Sequence, residues 1–137
     1  MKLKITKVQE LQNALGQLDG IDKAVRVDEK DRIIRQPFQL SGRARWNIAK
    51  NVRILSDRIE AFSQVRNDLI KQISGGKNII EKNETEKMEA FQKEITSVLE
   101  TEEEVDGLLT ISREDLNLDQ NPIPTWVIVA LAPLITE

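Results

Sequence analysis

The chain contains no histidine, no cysteine and no tyrosine. Without His or Cys, a structural zinc site, an iron-sulfur cluster and any thiol or imidazole mechanism are excluded. Disulfide stapling is excluded as well. No D-x-D-x-D-G loop offers calcium a site, and no GxxxxGK[ST], GxGxxG or GxSxG motif occurs. Asp, Glu, Lys and Ser remain for chemistry, but the commonest acid-base residue does not. The chain is therefore expected to be no enzyme and to need neither metal nor cofactor. Long apolar runs are missing too. The longest, "WVIVALAPLI", has ten residues and a proline, whereas a membrane span needs about 20. The start "MKLKITKVQEL" is basic but lacks the apolar stretch of a signal peptide.

What the sequence does have is helical periodicity. Its 137 residues, 31% of them charged, suit one helical domain with wet outer faces. "KLKIT" alternates like a short edge strand. Val8, Leu11, Leu15 and Leu18 then form a helical stripe, which Thr6 can cap and Gly20 can end. Residues 24–27 and 32–36 read as short strands around the polar turn "DEKD", although no Asn-Gly or Asp-Gly marks a tight hairpin. From about 42 to 74, Ile48, Val52, Leu55, Ile59 and Phe62 step by three and four, and the rhythm resumes at Leu69 and Ile73. A helix of that length, about 48 Å, cannot bury its stripe alone. Gly75 and Gly76 break the pattern, and "NETE" offers Asn83 as a cap with Glu86 three residues on. Met88, Phe91, Ile95, Val98 and Val105 form the stripe of a second helix over about 84–104. The expected fold is mainly α: a long antiparallel helical hairpin with a short N-terminal helix, a small β-hairpin and a short apolar C-terminal helix within 122–135. "SRED" restarts structure ahead of that last segment, where Pro124 suits a first turn and Pro133 limits extension. The segment has no polar face, so it is either buried in its own core or an oligomer contact through Trp126, Val127, Val129, Leu131 and Leu134.

Charge is distributed unevenly. Residues 23–58 carry ten Lys/Arg against four Asp/Glu, a surplus of +6, and residues 79–120 carry four against thirteen, a deficit of −9. The two arms of the hairpin can face each other with opposite sign, or the basic half can meet an external anion. The stretch "SGRARWNIAKN" favours the second reading. Ser41 and Gly42 open the long helix, and Arg43, Arg45 and Trp46 occupy its first turn. There the positive end of the helix dipole makes added cations unfavourable unless an anion joins them. Lys50 and Arg53 extend the cationic set, and the indole supplies a flat face for a base or a guanidinium. Arg45 and Arg66 fall on the apolar rhythm, so each must pair or snorkel. Asn47 and Asn51 read as ordinary outer positions.

The stretches "SGRARWNIAKN", "FQKEITSVLETEEEVD" and "ISREDL" resemble, in kind and order, small uncharacterised α-helical proteins of tailed bacteriophages and prophages. The resemblance implies a phage origin, a helical fold and work in the host cytoplasm, and it implies no activity. It frames three readings. One is a non-enzymatic accessory protein that binds an anionic ligand as a homo-oligomer, for example sequestering a nucleotide signal of host defence. Another is a structural or assembly protein acting through helical packing, and the third is an inhibitor of a host defence enzyme. Sequence-specific DNA binding is not expected, because the net charge is −3 and no helix-turn-helix pattern appears.

Overall fold

A computed structural model describes the backbone of all 137 residues and every side chain except those of Ile21 and Lys23. In chain order the elements are β1 (Lys2–Lys4), α1 (Ile5–Gly16), a 3-10 turn (Gln17–Asp19), β2 (Gly20–Val27), β3 (Lys30–Pro37), α2 (Gly42–Ser74), α3 (Thr85–Glu100), β4 (Glu102–Glu104), β5 (Ile111–Ser112), a 3-10 turn (Glu114–Leu116), α4 (Thr125–Ala130), a 3-10 turn (Ala132–Leu134) and β6 (Ile135–Thr136). The chain divides into two compact units. One comprises Met1–Gln9 and Ile54–Asp106, the other Glu10–Arg53 and Gly107–Glu137. The division falls inside α1 and inside α2, so each of these helices contributes residues to both units.

The first unit buries Leu3, Val8, Leu55, Phe91, Ile95 and Val105. Its long helix ends as the two glycines demand. Gly75 and Gly76 take φ of 78° and 102°, and the Gly76 N–H donates to the Lys71 carbonyl at 2.7 Å, a Schellman closure. The buried Ser74 hydroxyl accepts from the Lys77 N–H at 3.0 Å and donates to its carbonyl at 2.8 Å. Two local expectations change here. Asn83 does not cap α3. The cap position is Glu84, with no side-chain cap bond, and its carboxylate instead takes the Lys87 ammonium at 2.8 Å. The second helix also stops at Glu100 instead of running on to 104. Continued in the helix after Glu100, the glutamates at 102–104 would oppose the negative end of the helix dipole and repel one another. As a strand they meet cations: β4 pairs antiparallel with β1, setting Lys2 opposite Glu104 and Lys4 opposite Glu102. Lys4 also donates to Glu100 at 2.9 Å and Arg58 to Glu103 at 2.8 Å. Val105 is buried just beyond the strand and not on a helical stripe.

The second unit is centred on Leu11, Ala14, Leu15 and Leu18, with Ala44, Ile111, Leu116, Val127, Leu131 and Leu134 also buried. Thr6 lies inside the first turn of α1, which begins directly after β1 at Ile5. β5 and β6 form a short parallel pair, Ile111 with Ile135 and Ser112 with Thr136. Two asparagines stand in for missing strands. The Asn51 side chain, 0% exposed, donates to the Leu109 carbonyl at 2.8 Å and accepts from the Leu109 N–H at 2.7 Å. The buried Asn121 treats Gln39 the same way, at 3.0 and 2.8 Å, and donates to the Leu116 carbonyl at 2.8 Å. Asn47 adds a bond to the Thr110 carbonyl at 3.0 Å. Asn51 and Asn47 are therefore structural clamps, not ordinary outer positions.

β2 and β3 form an antiparallel hairpin in which Val27 faces Lys30. Both strands are longer than the sequence suggested, and the turn is tight. Asp28 and Glu29 take φ of 52° and 64°, the paired left-handed residues of a type I′ turn. The motif was not legible because neither position is glycine. At the base of the hairpin Gly20 is obligatory, because a Cβ there would stand 2.3 Å from the Gln36 carbonyl oxygen.

Candidate anion-binding face

Helix α2 opens as its sequence predicts. The Ser41 hydroxyl accepts from the Ala44 N–H at 3.1 Å, and the Ser41 carbonyl accepts from the Arg45 N–H at 3.1 Å. This cap fixes the rotation of the first turns. Ala44, Asn51 and Leu55 are buried, while Arg43, Trp46, Lys50 and Arg53 are exposed. Those four positions are spaced by three, four and three. At 100° per residue they occupy an arc of roughly 80° and a length of about 15 Å. Trp46 is 62% exposed, and the Lys50 ammonium sits 5.0 Å from its ring centroid. Among the described residues, Arg43, Lys50 and Arg53 have no carboxylate partner.

Arg45 stands apart from this stripe. Its guanidinium donates to the Phe38 carbonyl at 2.8 Å and so ties the chain leaving β3 to the start of α2. The apolar rhythm places Arg45 on the buried seam, but the residue is exposed, and its bond to the Phe38 carbonyl is made from the surface. Arg66 is exposed. Some cations elsewhere are held by carboxylates. Arg35 donates to Asp22 at 3.1 Å and to Asp19, and those bonds raise its pKa further. The Glu100 carboxylate likewise raises Lys4, and the Lys87 ammonium lowers Glu84. The unpaired cations of α2 differ from these.

The apolar C-terminal segment divides. Val127, Leu131 and Leu134 are buried in their own unit, whereas Trp126 and Val129, 52% and 66% exposed, lie on the surface of α4. Two concavities are lined by none of the α2 stripe residues. One, about 260 Å³ in the first unit, is walled by Leu3, Val8, Phe62, Val65 and Val98, with Arg58 and Glu103 among its polar residues. The other, about 170 Å³, is lined by Gln36, Gln39, Gln120 and Asn121. Among the described residues no cluster of three or more Asp or Glu could hold a metal ion, and no helix is long and apolar enough to cross a membrane.

No family model matches the chain, and no curated protein or solved structure is similar to it.

Proposed function

We propose that this chain is a non-enzymatic binding module that engages a phosphorylated, base-bearing ligand along the outer face of α2. The observation that carries this reading is the Arg43, Trp46, Lys50 and Arg53 stripe, three cations without internal carboxylates around an exposed indole. Such an array is unfavourable to leave empty, because like charges one turn apart repel. A ligand with phosphates and a planar base offsets that repulsion and adds stacking on the indole, worth about 1–3 kcal/mol per base. The ligand lies along a surface and is not engulfed, since neither concavity described above includes the stripe. A nucleotide or a short single strand fits this chemistry, and sequence reading of duplex DNA does not. The helical-hairpin arrangement expected of the two long helices is supported by Phe62, Val65 and Val98, which wall one cavity together.

The test is a titration with nucleoside polyphosphates and a labelled single-stranded oligonucleotide at low salt. It uses a Trp126→Phe background so that Trp46 alone reports. Binding should quench Trp46 and weaken steeply with salt. Lys50→Glu with Arg53→Glu should reduce affinity about tenfold or more with unchanged circular dichroism. If every anion binds the double variant as well as the parent, or none binds the parent, the reading fails.

A further inference from the structure

Among the described residues, both faces of the β2–β3 hairpin carry exposed side chains. Every residue of β3 is exposed, and the adjacent Ile33 and Ile34, which alternation points to opposite faces, are 76% and 48% exposed. An isolated two-stranded hairpin is marginal in water, and an open edge of unpaired N–H and C=O groups invites another strand. We infer that β3 pairs edge to edge with β3 of a second copy of this chain, making a four-stranded antiparallel sheet about a two-fold axis through Ile33.

The register follows from hydrogen-bond phase. The Phe38 N–H donates to the Asp19 carbonyl at 3.4 Å, continuing the ladder one step beyond Gly20 opposite Pro37. Hydrogen-bonded pairs alternate along an antiparallel ladder. Arg32 opposite Val25 and Lys30 opposite Val27 are therefore bonded pairs as well, and the backbone groups of Asp31, Ile33 and Arg35 point away from β2. Antiparallel pairing of two β3 strands about Ile33 joins those outward groups in about six hydrogen bonds.

The side chains agree with that register. Alternation places Asp22, Ala24 and Arg26 on one face with Arg35, Ile33 and Asp31, and the bond from Arg35 to Asp22 confirms the shared face. In the four-stranded sheet the central row reads Ala24, Ile33, then the second copy's Ile33 and Ala24. The row beside it reads Arg26, Asp31, then the second copy's Arg35 and Asp22, alternating in sign across all four strands. The opposite face sets Arg32 against the second copy's Ile34 and Lys30 against its Gln36, with no like charges directly opposite one another. Sliding one strand by two residues removes this complementarity. In one direction Arg32 meets Arg32, and in the other Pro37, which has no N–H, enters the ladder. This interface does not depend on the anion-binding reading.

Because the chain has no cysteine, the pairing can be read directly. Residues opposite each other in a hydrogen-bonded pair have Cα atoms about 5.5 Å apart, within disulfide reach. The Ile33→Cys variant should form a covalent dimer under mild oxidation, whereas Ile34→Cys and Ala24→Cys should remain monomers on a non-reducing gel. By sedimentation, the unmodified chain should be dimeric. Ile33→Lys should raise its dissociation constant about tenfold or more without altering circular dichroism. Cross-linking of Ala24→Cys in place of Ile33→Cys would assign the contact to the β2 edge and overturn the proposal. A monomeric parent chain with no cross-linking at position 33 would overturn it too.

Discussion

Asn51 shows how one side chain replaces an element. Its amide forms two bonds with Leu109, the same pair that a neighbouring strand would make, from a position with 0% exposure. Truncation to alanine strips both backbone groups of Leu109 of their partner, and each such loss costs about 1–3 kcal/mol. Asn51→Ala should therefore destabilise the fold by about 2–4 kcal/mol, measured by urea unfolding. In the parent chain the Leu109 amide should exchange slowly although it lies in no strand or helix, and in the variant that protection should vanish. The role was partly legible. Ile48, Asn51 and Leu55 are spaced by three and four, as are Ile48, Val52 and Leu55, so Asn51 competes for the buried face. A polar residue in that register reads as outward-facing unless its hydrogen-bond partner, 58 positions away, is known. Arg45 had the same ambiguity, with a nearer answer in the Phe38 carbonyl.

At the scale of elements, periodicity was the dependable signal. Val8, Leu11, Leu15 and Leu18 are all buried, and α2 runs from Gly42 to Ser74 as its stripe and its flanking Ser41 and Gly75 imply. The boundaries that failed are those where long-range electrostatics overrides local pattern. Glu102–Glu104 leaves the helix for strand β4 because Lys2 and Lys4 lie opposite. The tight turn between β2 and β3 failed for a local reason, since its left-handed pair is Asp28 and Glu29, not a glycine-containing dipeptide. A non-glycine residue in that conformation costs about 1–2 kcal/mol, and glycine gives back part of this through its freer unfolded chain. Glu29→Gly should stabilise the chain by about 0.5–1 kcal/mol, seen as a higher melting temperature. A lower one would mean that the Glu29 side chain contributes more than its backbone costs. The basic face of α2 was legible as a cluster. Its arrangement as Arg43, Trp46, Lys50 and Arg53, with Arg45 turned away, required knowing which side of the helix is buried.

At the scale of the whole molecule, the two units are interleaved along the sequence. The second takes Glu10–Arg53 from the first half and Gly107–Glu137 from the end. Removing residues 122–137 deletes Val127, Ala130, Leu131 and Leu134 from its core. Amides within 10–53 should then lose their slow hydrogen exchange, although the deletion lies some 70 positions downstream or more. Retained protection in that segment would show that it holds its structure without the C-terminal residues. The same interleaving sets a schedule during synthesis. Translation proceeds at about 5–20 residues per second, so roughly 4–16 s separate the emergence of Arg53 from that of Leu134. Throughout that interval Leu11, Leu15 and Leu18 are outside the ribosome without the C-terminal half of their core, and a chaperone that shelters nascent apolar helices has its window there.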